Sequence, residues 1–159
     1  MSFGSMIHGL ARAGLDFVVI GGVAAAAHGS ALVTNDLDIC YGPLSDNIDQ
    51  LATVLSSWPA YLRGVEPGLP FIMDARAIRT SPILTLQTDE GWLHLMDIVA
   101  GVGDYGSAFE ASDAISAFGV TFRVLSLPAL IAAKRAAARP KDLAHLPELE
   151  ALLASRDSG

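Results

Sequence analysis

Lysine is nearly absent from this 159-residue chain, and its two lysines, Lys134 and Lys141, both lie in the C-terminal quarter. Acidic residues outnumber basic ones by 17 to 10, which gives a formal net charge of −7. A chain with so little positive charge is not expected to bind nucleic acid over a broad surface. An anion-binding site must therefore take its positive charge from a metal ion or from the segment that carries the lysines.

Cysteine and long apolar runs are also scarce. The single cysteine, Cys40, excludes an internal disulfide and is typical of a chain in the reducing cytoplasm. The longest apolar run, residues 17–27, contains glycines and is much shorter than the roughly 20 residues that span a membrane. Residues 1–14 show no basic start followed by an apolar core, so we expect no signal peptide, no membrane association and a cytoplasmic location.

The composition is that of a globular protein, because 52% of the residues are hydrophobic and 17% are charged. The length suggests one domain, and no linker or internal repeat is visible. We expect a sheet-bearing core over residues 1–125 and C-terminal helices over residues 126–159.

Hydrophobic periodicity and turn residues predict the elements of this domain. Strands are expected at 16–20, from Asp36 to Tyr41, and at 83–87, 92–99 and 120–125. Helices are expected at 6–13, 23–28, 48–58, 109–115 and 127–138, with a last helix after Pro140. Loops or turns are expected at 59–70, 89–91 and 101–106, while residues 71–78 stay ambiguous.

Two helix starts carry residues that favour capping. Ser45, Asp46 or Asn47 is expected to cap the helix over 48–58, and Ser126 is expected to cap the helix over 127–138. The last helix contains Pro147, which should bend or restart it.

The most informative stretch is a short apolar strand that ends at a glycine pair, Gly21 and Gly22, before a run of alanines that favours helix. Backbone N–H groups and the positive dipole end at a helix start can hold a phosphate. Glycines let that phosphate come close, because they have no Cβ atom. We therefore expect Gly21 and Gly22 to bind phosphate, with a hydroxyl contribution from Ser30.

Strand alternation places Asp36, Asp38 and Cys40 on one face of the next strand. Two neighbouring carboxylates repel each other unless a cation lies between them. Beside a phosphate site, such a pair is suited to hold Mg²⁺ or Mn²⁺ for metal-assisted phosphoryl chemistry. We therefore expect Asp36 and Asp38 to be metal ligands.

These residues resemble the nucleotidyltransferase superfamily with the DNA polymerase beta-like fold: Gly21-Gly22, a helix, then Thr34-x-Asp36-x-Asp38. The likeness is greatest to small bacterial stand-alone members, including nucleotidyltransferase toxins of abortive-infection and type IV toxin–antitoxin systems. Residues 134–142, Lys-x-x-x-x-Arg-x-Lys-Asp, are similar to a helix motif of those toxins. The resemblance implies an α/β (α+β) fold, in which helices flank a mixed sheet and a short helical C-terminal segment closes over the site.

The resemblance also implies an activity, which is metal-dependent transfer of a nucleoside monophosphate from a nucleoside triphosphate to an acceptor hydroxyl. Lys134 and Arg139 would then contact the triphosphate. The acceptor stays open among tRNA, a protein and a small molecule. An antitoxin would be the expected protein partner if the chain is a toxin.

Superfamily members usually have a third carboxylate on a neighbouring strand. Asp97 is the only acid in residues 92–99, and we predict that it completes the metal site or activates the acceptor. His94 competes for this position, since the acid of the family commonly follows a step like Gly91-Trp92-Leu93. The two residues have opposite strand parity, so both cannot point into one site.

If His94 holds the third position, a neutral imidazole replaces a carboxylate. The alternative function is then a catalytically weak or inactive nucleotidyltransferase-like binding module that acts through a protein partner.

Overall fold

The computed structural model describes residues 3–64, 72–81 and 83–157. The helices are α1 (Phe3–Arg12), α2 (Gly21–Ala27), α3 (Ser45–Ser57), α4 (Ala75–Thr80), α5 (Tyr105–Glu110), α6 (Leu127–Ala137) and α7 (Pro140–Asp157). The strands are β1 (Phe17–Ile20), β2 (Asp36–Tyr41), β3 (Tyr61–Leu62), β4 (Ile83–Thr88), β5 (Gly91–Met96), β6 (Ile98–Val99), β7 (Gly103–Asp104), β8 (Ser112–Ala117) and β9 (Val120–Leu125).

Seven strands form one mixed sheet in the order β3-β4-β5-β2-β1-β9-β8. β2 pairs in parallel with β5, and β1 pairs in parallel with β9, while the remaining neighbours are antiparallel. β6 and β7 form a separate two-stranded ribbon. The predicted mixed sheet flanked by helices is confirmed.

The two faces of the central strands differ, because apolar and polar residues alternate along them. In β2, Leu37 and Ile39 are fully buried, while the side chains of Asp36 and Asp38 lie on the opposite face and are partly exposed. The neighbouring β5 continues the apolar face with the fully buried Leu93 and Leu95. This face belongs to the core, so the acidic face is left for a cleft.

Truncation of this core should be strongly destabilising. Leu93 is 0% exposed, so Leu93→Ala is expected to lower the free energy of unfolding by about 2–5 kcal/mol. Ile72→Ala is the control, because that side chain is largely exposed and should change the free energy by less than about 0.5 kcal/mol. Urea denaturation of both variants measures the difference, and equal losses would contradict the burial.

Most predicted elements near the site are confirmed, with shifted ends. The strand expected at 16–20 begins at Phe17, and the following helix begins at Gly21, so the glycine pair forms its first turn. The strand from Asp36 to Tyr41 is confirmed, as are the strand at 83–87, the turn at 89–91 and the strand at 120–125.

The helix expected at 109–115 is wrong. α5 ends at Glu110, and residues 112–117 form β8, which pairs with β9. A tight turn joins these strands, with positive φ angles at Phe118 (56°) and Gly119 (77°), as two-residue hairpins require. The hairpin overrides the weak local preference for helix.

The strand expected at 92–99 is shorter than predicted. β5 ends at Met96, Asp97 forms a bend, and the chain continues as β6. The expected loop at 101–106 contains β7 and the start of α5. Within the ambiguous residues 71–78, the helix α4 begins at Ala75.

The loop expected at 59–70 contains the short strand β3, and its residues 65–70 lie outside the described residues, as does Phe71. The expected cap of α3 is wrong, because Leu44 stands at that position and no side chain caps it. Asn47 instead accepts a hydrogen bond from the backbone N–H of Asp16 at 2.7 Å and donates to the carbonyl of Gly42 at 2.9 Å.

The C-terminal helices follow the sequence closely. Ser126 caps α6, and its Oγ accepts a hydrogen bond from the N–H of Ala129 at 3.3 Å. α6 ends where Ala138 adopts a left-handed conformation, and α7 then continues through Pro147. Among the helices of the described residues, none has the length and apolar character needed to span a membrane.

Candidate active site

Strand register brings three polar side chains together on the acidic face. β2 pairs with β5 so that Asp38 lies opposite His94 and Asp36 lies opposite Trp92. Because side chains alternate, Asp36, Asp38 and His94 share the face opposite to Leu37. The sheet therefore groups two carboxylates and an imidazole next to each other.

The contacts within this group are close but poorly directed for hydrogen bonding. Nε2 of His94 lies 3.2 Å from Oδ2 of Asp36, and Nδ1 of His94 lies 3.2 Å from Oδ1 of Asp38. Oδ1 of Asp38 and Nε2 of His94 are buried and have no hydrogen-bond partner. No other buried side-chain nitrogen or oxygen atom of residues 3–64, 72–81 and 83–157 lacks a partner. Buried polar atoms normally have a partner.

These three side chains form the one group in the described part of the chain that could hold a metal ion. One ligand atom from each residue lies within 4.8 Å of the others. Carboxylates suit Mg²⁺ and Mn²⁺, while an imidazole suits softer divalent ions as well. The two unpartnered atoms and this donor set fit a divalent cation.

The electrostatics of Asp38 favour the same interpretation. Burial, opposed by His94 and reinforced by Asp36, raises the pKa of Asp38 to about 6. The ionised form of Asp38 is thus less favourable here than in water, and positive charge beside it would stabilise that form. A bound divalent cation would supply that charge.

Arg63 is a part of this site that the sequence did not reveal. It follows the two-residue strand β3, and its Nη1 lies 3.0 Å from Oδ1 of Asp36. Its guanidinium stacks on the ring of Trp92, with 3.8 Å between the guanidinium carbon and the ring centroid. Arg63 therefore neutralises and orients one of the two carboxylates.

Asp97 is not brought to this group. It lies in the bend after β5, and its backbone carbonyl accepts a contact from Sγ of Cys40 at 3.6 Å. Asp97 does not line the cleft that contains Asp36 and Asp38. The third position beside the carboxylates is held by His94, because the register of β5 places its even-numbered residues on the acidic face.

The glycine pair packs directly against the acidic strand. Gly21 has a φ of +65°, and a Cβ atom at this residue would overlap Oδ2 of Asp38. A Cβ atom on Gly22 would overlap the side chain of Thr34. Only glycine lets the start of α2 approach the carboxylates this closely.

Gly21→Ala should therefore disturb the site as well as the backbone. The left-handed conformation alone costs about 1–2 kcal/mol for alanine, and the added methyl group would displace Asp38. Gly14→Ala is the matched control, because Gly14 has a φ of +74° and open space at its Cβ position. Both variants should lose stability, but only Gly21→Ala should weaken Mn²⁺ binding, measured by calorimetry. Equal Mn²⁺ affinities of the two variants would contradict the expected displacement of Asp38.

One cleft of about 650 Å³ collects nearly all residues that the sequence singled out. Its walls include both glycines, both acids, the competing histidine and the expected phosphate contacts: Gly21, Gly22, Ser30, Asp36, Asp38, His94, Lys134 and Arg139. Lys141 and Asp142 line the same cleft. The C-terminal basic residues thus fold back onto the acidic strand.

Asp142 holds these basic residues in place. It is 1% exposed, accepts a hydrogen bond from Nζ of Lys134 at 3.2 Å, and accepts another from Nε of Arg139 at 2.7 Å. Burial favours a higher pKa for Asp142, but the hydrogen bonds from Arg139 and Lys134 outweigh it and lower the pKa to about 2. Asp142 is therefore ionised and anchors both cations at the cleft.

Ser30 contacts α7. Its Oγ donates a hydrogen bond to Oε1 of Glu148 at 2.5 Å, and Oε2 of Glu148 accepts the N–H of Ala31 at 3.0 Å. Nε2 of His145 lies 3.3 Å from the same hydroxyl. This network fastens the segment between α2 and β2 to the last helix.

A solved structure has the same fold. The crystal structure of a protein from Thermotoga maritima, described as a "putative nucleotidyltransferase" (TM1012), aligns with 100% of this chain and 97% of that chain. The fold is nucleotidyltransferase-like. The sequence identity is 15% and the TM-score is 0.51, so the similarity concerns the fold alone. No protein-family profile and no curated protein matches the chain.

Proposed function

We propose that the chain is a metal-dependent nucleotidyltransferase, which transfers a nucleoside monophosphate from a nucleoside triphosphate to an acceptor hydroxyl. The observation that carries this proposal is one cleft in which Asp36 and Asp38, suited to a divalent ion, are joined by Lys134 and Arg139. Nucleotidyl transfer needs such carboxylates for the metal and such cations for the charge of the phosphates.

The acidic group would hold Mg²⁺ or Mn²⁺ through Asp36 and Asp38, with His94 as a third ligand. The bound ion would supply positive charge that neutralises the phosphates. Arg63 keeps Asp36 in its orientation through the contact at 3.0 Å.

The glycine pair and the C-terminal cations would hold the triphosphate. Gly21 and Gly22 line the cleft in the first turn of α2, where backbone N–H groups without a partner inside the helix would bind phosphate oxygens. Lys134 and Arg139, anchored by Asp142, would pair with the outer phosphates and with the departing pyrophosphate.

In the transfer step, the acceptor oxygen forms a bond to the α-phosphorus. The bond between the α-phosphorus and the oxygen that bridges to the β-phosphate breaks, and pyrophosphate leaves with that oxygen. The hydroxyl proton passes to solvent. The attacking and leaving oxygens lie roughly in line during this step, so the acceptor must approach from the side opposite to Lys134.

Labelled donors test this function. The four ribonucleoside triphosphates, each labelled at the α-phosphate, are incubated with the protein, Mg²⁺ or Mn²⁺ and a cell extract, and transferred label is counted. We expect label transfer by the wild type with one or more donors and none by Asp36→Asn. Asp89→Asn is the matched control, because this acid is exposed in the β4–β5 turn. A folded wild type that transfers no label would contradict the proposal.

One observation favours a second candidate function, a nucleotide-binding module without efficient catalysis. His94 occupies the position beside Asp36 and Asp38 where a third carboxylate would add charge to the metal site. Calorimetry with a triphosphate and Mg²⁺ separates the candidates. Metal-dependent binding that is lost in Asp36→Ala, without label transfer by the wild type, would favour the binding module and a protein partner.

The resemblance of residues 21–38 and 134–142 to bacterial nucleotidyltransferase toxins extends the proposal to a toxin that is countered by an antitoxin. Induced expression in a bacterial host tests this role. We expect growth arrest with the wild type and normal growth with Asp36→Asn at equal protein levels. Normal growth with both would contradict the toxin role and would leave the transfer assay to decide the activity.

A further inference from the structure

The third position beside Asp36 and Asp38 offers a nitrogen ligand and not an oxygen ligand. His94 lies opposite Asp38 in the pairing of β2 with β5, and its side chain is partly exposed to the cleft. Nε2 of His94 faces Asp36 and Nδ1 faces Asp38, each at 3.2 Å. Whichever ring nitrogen binds an ion, the other one faces a carboxylate, which is the usual arrangement around a metal-bound imidazole.

The contacts of His94 with the two acids leave a ligand atom without a use. A neutral imidazole has one donor nitrogen and one acceptor nitrogen, whereas an ionised carboxylate only accepts. In this form, one ring nitrogen of His94 presents its lone pair to a carboxylate oxygen. Neither contact has the geometry of a hydrogen bond, since Oδ1 of Asp38 and Nε2 of His94 both lack a partner. A cation that binds the imidazole lone pair together with a carboxylate removes this mismatch.

Arg63 reduces the negative charge of the same group. Its Nη1 lies 3.0 Å from Oδ1 of Asp36, and the stacking of its guanidinium on Trp92 holds it in this place. With both acids ionised, the arginine cancels one of the two negative charges, and the neutral imidazole adds none. Mg²⁺ takes oxygen ligands and gives up its water reluctantly. A site with a nitrogen ligand and so little negative charge therefore suits Mg²⁺ poorly.

Transition metals have the opposite preference, because imidazole nitrogen is a good ligand for them and their affinity rises from Mn²⁺ through Co²⁺ to Ni²⁺. On the basis of the proposed function, we propose that Asp36, Asp38 and His94 select a transition-metal ion of the Mn²⁺ and Co²⁺ class over Mg²⁺. His94 is the residue that sets this selectivity. Nucleotidyl transfer would accordingly be faster with Mn²⁺ than with Mg²⁺.

Calorimetric titration with Mg²⁺, Mn²⁺ and Co²⁺ tests this selectivity without any need for catalysis. We expect the wild type to bind Mn²⁺ at least about tenfold more tightly than Mg²⁺, and Co²⁺ more tightly than Mn²⁺. In His94→Asn, an amide replaces the imidazole with no change in charge, so the ratio of Co²⁺ affinity to Mg²⁺ affinity should fall by at least about tenfold. His8→Asn is the matched control and should keep the wild-type ratio, because that imidazole is exposed and does not line the cleft.

Two further measurements keep the test independent of one variant. His94→Asp supplies a third carboxylate and should bind Mg²⁺ more tightly than the wild type does. With one equivalent of Cu²⁺, the electron paramagnetic resonance spectra of the wild type and of His8→Asn should show splitting by a directly bound nitrogen, which His94→Asn should lack. If His94→Asn fails to fold, the ion order and the nitrogen splitting of the wild type still decide.

The outcomes separate this selectivity from the proposed function. A wild type that binds Mg²⁺ as tightly as Mn²⁺ and Co²⁺, or whose copper spectrum lacks nitrogen splitting, would overturn the selectivity and leave the transferase intact. An unchanged affinity ratio in folded His94→Asn would also overturn it. The expected ion order without label transfer would support the selectivity and contradict the transferase. A wild type that binds none of these ions would overturn both.

Discussion

Asp38→Asn is expected to reduce nucleotidyl transfer by at least about a hundredfold while leaving the metal-free fold as stable as the wild type or more stable. The loss follows because the variant removes a metal-binding carboxylate from the cleft. The unchanged or higher stability follows because the Asp38 carboxylate is disfavoured where it lies: burial raises its pKa to about 6. A residue that lowers stability in the absence of ligand is typical of a functional site.

The pH dependence of stability gives a second measure of the same variant. In the metal-free protein, the pKa of Asp38 rises from 3.8 to about 6 on folding, so the folded state binds more protons between these values. The contribution of this group is therefore favourable below pH about 4 and is lost as the pH rises through about 6. Urea denaturation in EDTA at pH 4 to 7 should show this decrease in the wild type and a smaller one in Asp38→Asn.

Asp89→Asn is the control for both measurements, and it should retain transfer and the wild-type pH profile. Retained transfer in Asp38→Asn, or pH profiles that are identical for the wild type and Asp38→Asn, would contradict the role assigned to this carboxylate.

Asp142→Ala is expected to lower the free energy of unfolding by about 2–3 kcal/mol. Breaking a buried ion pair typically costs about 3–5 kcal/mol, and the value is smaller here because Lys134 and Arg139 are partly exposed. The variant should also raise the Kd for triphosphate about tenfold, equal to about 1.4 kcal/mol, because Lys134 loses its anchor. Urea denaturation and calorimetry measure the two effects.

The control for Asp142→Ala lies between the same two helices. Glu150 pairs with Arg135 at 2.7 Å, but both side chains are exposed, so Glu150→Ala should cost less than about 1 kcal/mol and leave triphosphate binding unchanged. The two variants should also differ with pH. The pKa of Asp142 is lowered to about 2, so its stabilisation is present above pH about 4 and is lost as the pH falls toward 2. Equal effects of the two variants would contradict the anchoring role.

The sequence predicts the parts of the site that depend on residue patterns within a short stretch of the chain. Alternation along β2 places Asp36 and Asp38 on one face, and the apolar strand before the glycine pair predicts the turn beside them. Ser126 and the proline after it predict the start of α6, which carries Lys134. Each of these inferences depends on residues within a few positions of each other.

The remaining parts depend on pairing between distant segments. His94 joins the acids because β5 pairs in parallel with β2 in one register, and the sequence alone does not fix that register. Asp97 has the carboxylate that we expected as a third metal ligand, but β5 ends one residue before it. Arg63 follows a two-residue strand in a stretch predicted to be mainly loop, so no periodicity pointed to its contact with Asp36.

A crystal grown with Mn²⁺ and a non-hydrolysable triphosphate would show whether Asp36 and Asp38 bind a divalent ion beside the triphosphate, because anomalous scattering locates manganese without ambiguity. We expect a manganese peak bound by Asp36 and Asp38, with the β- and γ-phosphates beside Lys134 and Arg139. A peak at another place on the protein, or a triphosphate bound away from the glycine pair, would contradict this expectation.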